Sequence, residues 1–185
     1  MDTEIQQIEK EIFALKQKRT EARRRRPHEE VRNYTFLGPG GASISLEDLF
    51  GQKQDLLVVH NMGKRCSYCT LWADGFQGLL PHLEDRAAFV LVSPDDPQTQ
   101  VEFAASRGWE FRVVSDQERA FTQDMGYVQD GDVWPGVSAF RKGEDGKIYR
   151  TGTTFLGPGD DYCSVWPLFD MLAKGPDGWE PKYIY

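Results

Sequence analysis

Apolar residues recur at helical spacing near the start of the chain: Ile5, Ile8, Ile12 and Leu15 are separated by Glu, Gln and Lys, which predicts an amphipathic helix over residues 3–25, ended by Pro27. The seam lasts two heptads before Arg19 interrupts it, too short for a coiled coil, so the stripe is expected to pack on its own domain or on a second copy. From residue 33 the pattern changes. A short strand is expected over 34–36, then the turn Gly38-Pro39-Gly40-Gly41 and a helix over 46–50 opened by Ser45. Residues 55–60 and 88–93 are apolar runs with β-branched residues, the pattern of parallel strands buried on both faces, and residues 66–83 between them predict a helix. The alternation continues with a helix over 97–107, a strand over 111–115 and a helix over 116–125. Strands over 136–141 and 148–151 flank Glu144-Asp145-Gly146, whose Asp-Gly pair marks an antiparallel hairpin. A last helix over 164–173 stops at Gly175-Pro176, and the aromatic tail over 179–185 is expected to dock. The expected class is α/β, a central mixed β-sheet flanked by helices with an extra N-terminal helix, divided into an arm (1–32) and a domain (33–185).

Composition narrows the classes. With 39% hydrophobic residues among 185, and 22 Lys+Arg against 29 Asp+Glu, the chain has material for a core beneath a charged surface, unlike a disordered tail or a disulfide-stapled miniprotein. No run approaches the roughly 18 apolar residues of a membrane span, and the first residues lack the apolar stretch of a signal peptide, so a soluble, cytoplasmic protein is expected. The net charge of −7 is uneven: the arm carries +2 and the domain −9. An acidic domain argues against nucleic-acid binding, and the run Arg23 to Arg26 suits the C-terminus of a helix electrostatically.

The chemistry concentrates at Cys66-Ser67-Tyr68-Cys69, directly after an expected buried strand and at an expected helix start. Unpaired N–H groups at a helix N-terminus stabilise a thiolate, with Lys64 and Arg65 expected to help, which makes Cys66 the candidate nucleophile. Cys69, three residues on, lies on the same helix face and can resolve a mixed disulfide. Two other readings stand beside this one: half of a zinc site, for which Cys163, His28, His60 and His82 are the remaining ligands, and two inert core thiols. Trp134-Pro135 precedes the strand over 136–141, where an X-Pro bond is either a cis bond or an ordinary turn.

Strand, C-x-x-C at a helix start, then a proline opening a terminal hairpin and a closing helix resembles the thioredoxin fold. That resemblance implies Cys66 as nucleophile, Cys69 as resolving cysteine and Pro135 as a cis-proline beside them. Ser45-Leu-Glu-Asp-Leu-Phe50, Val59-His-Asn-Met62, Cys66 to Phe76, Arg107-Gly-Trp109, Pro135-Gly-Val-Ser-Ala-Phe140 and Gly178-Trp-Glu-Pro-Lys-Tyr183 are similar to a thioredoxin-like bacterial family labelled predicted dithiol-disulfide oxidoreductases. The implied activity is thiol-disulfide exchange with a protein or small-molecule substrate, needing no cofactor or metal; the alternative is a redox-inactive interaction module or metal-binding protein on the same fold. Thioredoxin's buried acid falls on His60, a candidate for proton transfer to Cys69 or a packing residue, and Asp74 is either a base or a solvated carboxylate. Peroxiredoxins share the fold, but their Pro-x-x-x-Thr-x-x-Cys is not matched: Val59 and Gly63 stand at the Pro and Thr positions. Cys163 reads as buried packing or a distant third thiol. The Ile stripe of the arm implies a homodimer through the N-terminal helix.

Overall fold

A computed structural model describes residues 3–185. Its first helix, α1 (Thr3–Arg25), is followed by the short strands β1 (Glu29–Val31), β2 (Thr35–Leu37) and β3 (Ser43–Ser45). The alternating part comprises β4 (Asp55–His60), α2 (Ser67–Arg86), β5 (Ala88–Ser93), α3 (Pro97–Arg107), β6 (Arg112–Ser115) and α4 (Ala120–Asp124). The strands β7 (Val128–Gln129) and β8 (Asp132–Val133), the hairpin β9 (Gly136–Lys142) and β10 (Ile148–Phe155), and α5 (Val165–Asp170) complete the chain.

Eight strands form one mixed sheet in the order β1-β10-β9-β4-β5-β6-β2-β3, and β7 pairs with β8 apart from it. The apolar runs become the parallel centre β4-β5-β6, while β9 closes antiparallel on β4 from Asp55↔Arg141 to His60↔Gly136. Alternation along β4 sorts its side chains onto two cores: Leu56 and Val58 join Phe36, Phe50, Phe121 and Phe140 on one face, and Val59 joins Trp72, Ala73 and Phe76 of α2 on the other. The site elements thus lie where β4 delivers the chain to α2.

Several boundaries differ from expectation for identifiable reasons. The helix expected over 46–50 shrinks to a 3-10 turn because Ser43–Ser45 pairs with β2 and the Asp48 carboxylate accepts from both the N–H and the hydroxyl of Ser45. Residues 116–119 are a turn rather than helix, since Arg119 has φ +57° and the buried Asp116 carboxylate accepts from the N–H and hydroxyl of Thr122. Glu29–Val31, inside the segment assigned to the arm, pairs with β10 as the sheet edge. Gly136 must be glycine: a Cβ there would lie 2.0 Å from the Tyr127 ring and 2.5 Å from the Thr154 carbonyl oxygen.

One expectation meets a contrary observation, and of the two alternatives for the arm one is removed. The described residues contain no cis peptide bond, so Trp134–Pro135 is trans, and Pro135 is set in place by β-structure alone: its carbonyl accepts from Leu156 N–H, beside the Gly136 pair. The arm's apolar stripe is not buried within the chain. α1 has no buried residue, Ile5, Ile8, Ile12 and Leu15 are 40–63% exposed, and the helix is tied to the domain by ion pairs from Lys16 and Arg19 to Asp161 at 2.6 and 2.7 Å.

Candidate active site

The loop from β4 to α2 is held by short-range polar contacts. Asn61 is buried; its side-chain oxygen accepts from Gly63 N–H at 2.7 Å, a turn motif Asn commonly makes two residues ahead. Asp95, after β5, accepts from Lys64 N–H at 2.6 Å. Gly63 has φ +99°, and a Cβ on it would fall 2.8 Å from the Asp95 carboxylate, so a side chain is excluded there both by backbone conformation and by space. With the loop fixed from both sides, Cys66 arrives at the N-cap of α2.

Cys66 takes the part usually played by Ser or Asp. Its backbone is extended, and its Sγ accepts from Cys69 N–H at 3.0 Å, satisfying one of the donors left open at the helix start. The thiol of Cys69 lies beside the same sulfur, and Cys69 is only 3% exposed whereas Cys66 is partly exposed. These contacts separate the two acidities. Hydrogen bonding from the Cys69 thiol, then from the Cys69 and Tyr68 backbone N–H groups, lowers the Cys66 pKa from 9.0 to about 7 against the opposing effect of burial. Cys69 moves up, because it donates to Cys66 and is buried. The shift at Cys66 is carried by hydrogen bonds, not by the charges of Lys64 and Arg65, whose side chains point to solvent.

The remaining candidates separate clearly. His60 is 1% exposed and sits on the sheet face opposite α2, stacked on Tyr127 at 3.9 Å and on Phe121 at 5.3 Å, with Nε2 3.0 Å from the Ser138 hydroxyl. Burial, aided by Arg150, drops its pKa to about 3, so it is a neutral packing residue rather than a proton carrier for Cys69. Asp74 is a partly exposed, paired carboxylate rather than a free base: it accepts from two nitrogens of Arg107 and, at 2.8 Å, from Trp109 Nε1, tying α2 to the end of α3. Cys163 is buried in the α2-side core and its pKa is raised by that burial. Pro135 is buried and precedes Gly136, the β9 partner of His60, so it lies at the sheet end from which the loop to Cys66 leaves. Among the described residues no three His, Cys, Asp or Glu side chains are grouped as a metal ion requires.

One residue at the site escaped the sequence reading. Tyr183, in the aromatic tail, has its pKa raised first by burial and then by the nearness of Cys66 and Cys69. Arg107 Nη1 donates to the Tyr183 carbonyl at 2.7 Å, and Phe103 meets the Tyr183 ring edge-on at 6.4 Å. The expected docking of the tail holds for Trp179, Pro181 and Tyr183, while Ile184 and Tyr185 stay 86% and 81% exposed; nothing local announced where it docks.

Comparison with known proteins places this geometry. The model of a family described as "Bacterial protein of unknown function (DUF899)" matches residues 3–183. None of the curated proteins compared matches the chain. Among solved structures, reduced Prx3 from Vibrio vulnificus superposes with a TM-score of 0.60 at 14% identity over 75% of this chain and 93% of that one. A cysteine-to-serine mutant of Xylella fastidiosa PrxQ gives 0.55 at 19% over 69% and 86%, and peroxidoxin BcpB from Mycobacterium tuberculosis 0.55 at 21% over 65% and 80%. At these identities the likeness establishes the fold, which is thioredoxin-like, and leaves the chemistry to the residues.

Proposed function

The chain belongs to this DUF899 family of bacterial proteins, and from its cysteine geometry we propose that it is a dithiol-disulfide oxidoreductase. The observation that carries the reading is the asymmetry of the pair: one partly exposed sulfur at a helix N-cap with a pKa of about 7, and a second, buried thiol donating to it. The Cys66 thiolate displaces one sulfur of a substrate disulfide, forming a Cys66–substrate bond and releasing a thiolate that takes a proton from water. Cys69 then loses its proton to solvent and its sulfur displaces the substrate from Cys66. The substrate is reduced to two thiols while the protein dithiol is oxidised by two electrons to the Cys66–Cys69 disulfide. Pro135, at the sheet end from which the loop to Cys66 leaves, helps to seat the substrate chain. Free thiols of this kind fit a reducing compartment such as the cytoplasm.

The peroxiredoxin likeness brings peroxide reduction forward as a second reading. The loop argues against it: the position where that motif carries Thr is Gly63, whose φ of +99° and contact with Asp95 leave no place for a hydroxyl-bearing side chain. A homodimer through α1 completes the proposal. An isolated helix gains little stability from its own hydrogen bonds, and covering Ile5, Ile8 and Ile12 on a second copy supplies what the chain's own domain does not.

The test is a pair of variants. Cys69→Ser is expected to accumulate mixed disulfides with a disulfide substrate, read by mass, whereas Cys66→Ser forms none. Equal behaviour of the two would reduce the protein to a thioredoxin-like scaffold without the chemistry.

A further inference from the structure

An open cavity of about 620 Å³ has walls that include Lys64 and Arg65, the two residues before Cys66, with Phe103, Arg107, Tyr183 and Ile184. Its charge is unusual for this chain. The protein carries a net −7, yet the two residues immediately before the nucleophile are cations, and among the described residues neither side chain has an ion-pair or hydrogen-bond partner. None of the cavity's lining residues is a carboxylate, and of the two nearby only Asp74 is paired with a cation. Asp95 accepts from the Lys64 backbone, and Asp74 is held by Arg107 and Trp109. Arg107 is charge-paired by Asp74, and it holds the tail through the Tyr183 carbonyl; Lys64 and Arg65 are the unpaired cations of the cavity wall.

The opposite wall is apolar. Phe103 and Tyr183 meet edge to face, and Ile184 is 86% exposed. Arg65, in its wall, is the chain neighbour of Cys66, and the nearness of the cysteines contributes to the raised pKa of Tyr183, so the cavity adjoins the dithiol. We infer that this cavity is the substrate subsite of the dithiol and that it takes disulfides bearing carboxylates, with Lys64 and Arg65 receiving the carboxylates and the Phe103–Tyr183–Ile184 wall receiving the adjoining aliphatic part. The inference rests on the oxidoreductase reading and adds the substrate class to it. Opposite charge beside an exposed nucleophile raises the encounter rate and fixes orientation, and the effect weakens with salt.

The experiment uses the full-length, pre-reduced protein in single turnover. Glutathione disulfide serves as the anionic probe, 2-hydroxyethyl disulfide as the neutral one and cystamine as the cationic one, and oxidation of the Cys66–Cys69 pair is followed by mass after acid quenching. Expected is an order of glutathione disulfide, then 2-hydroxyethyl disulfide, then cystamine, with the anionic probe about tenfold faster than the neutral one at low salt. In the double variant Lys64→Gln, Arg65→Gln the anionic-to-neutral ratio should fall towards one; taking a ratio cancels any change in the reactivity of Cys66 itself. Equal rates for the three probes, or a ratio untouched by the double variant, would overturn the subsite alone. If none of the three oxidises the pair, the oxidoreductase reading falls and the subsite with it.

Discussion

Replacing Cys69 by alanine isolates the interaction that sets the reactivity of Cys66. The variant removes the thiol that donates to Cys66 Sγ, the largest cause of the depressed pKa, but leaves the backbone N–H at position 69, which donates at 3.0 Å. A hydrogen bond to a charged acceptor contributes about 1.5 kcal/mol, and one pKa unit corresponds to about 1.4 kcal/mol, so the Cys66 pKa should rise by about one unit, from about 7 to about 8. At pH 7 the thiolate fraction then falls from about one-half to about one-tenth, and alkylation at that pH slows about fivefold, while the two proteins converge above about pH 9.5. Iodoacetamide modification measured from pH 5 to 10, with peptide mass mapping to separate Cys66 from Cys163, gives both midpoints directly. Equal midpoints would show that the helix N-terminus alone lowers the pKa. A wild-type midpoint near 9 would refute the geometry altogether.

Two further outcomes follow from residues outside the pair. His60 is neutral when folded, with a pKa near 3, but takes up a proton near 6.5 once unfolded; acid therefore favours the unfolded chain, and stability fully present above about pH 6.5 should fall by about 2 kcal/mol between pH 7 and pH 5. Urea unfolding at the two pH values should show this slope in the wild type and a flatter one in His60→Gln, and identical slopes would refute it. Light scattering should give a dimer for the full chain and a monomer once residues 1–26 are deleted, since the deletion removes the exposed Ile stripe; a full-length monomer would remove the dimer role of α1.

What could be read from the sequence was what short-range physics decides. Residues 55–60 and 88–93 matched β4 and β5 because an unbroken β-branched run buried on both faces has few other solutions, and α1 matched residues 3–25 because its Ile spacing and Pro27 are local signals. The placement of Cys66 at the start of α2 was equally local: a buried strand, a glycine-bearing loop and a cysteine at the N-cap lie within a dozen residues. The short strands β1, β3, β7 and β8 were not visible, since two or three residues show no periodicity and are strands only because a partner offers them hydrogen bonds.

The candidate site beyond its two cysteines was decided by contacts made across the chain. Whether His60 serves the dithiol or the core depends on which sheet face it occupies, and that follows from packing against Phe121 and Tyr127, far along the sequence. Asp74 read as a base or a solvated carboxylate until Arg107 and Trp109 folded onto it, and the Tyr183 backbone is held by an arginine 76 residues earlier. The trans bond before Pro135 is likewise set by its surroundings, because an X-Pro bond differs by only about 0.5–1 kcal/mol between isomers and neighbouring structure tips it. Periodicity and capping act over one or two turns of chain and so are written in the sequence; the orientation of a buried ring or carboxylate is chosen by partners that only folding brings within reach.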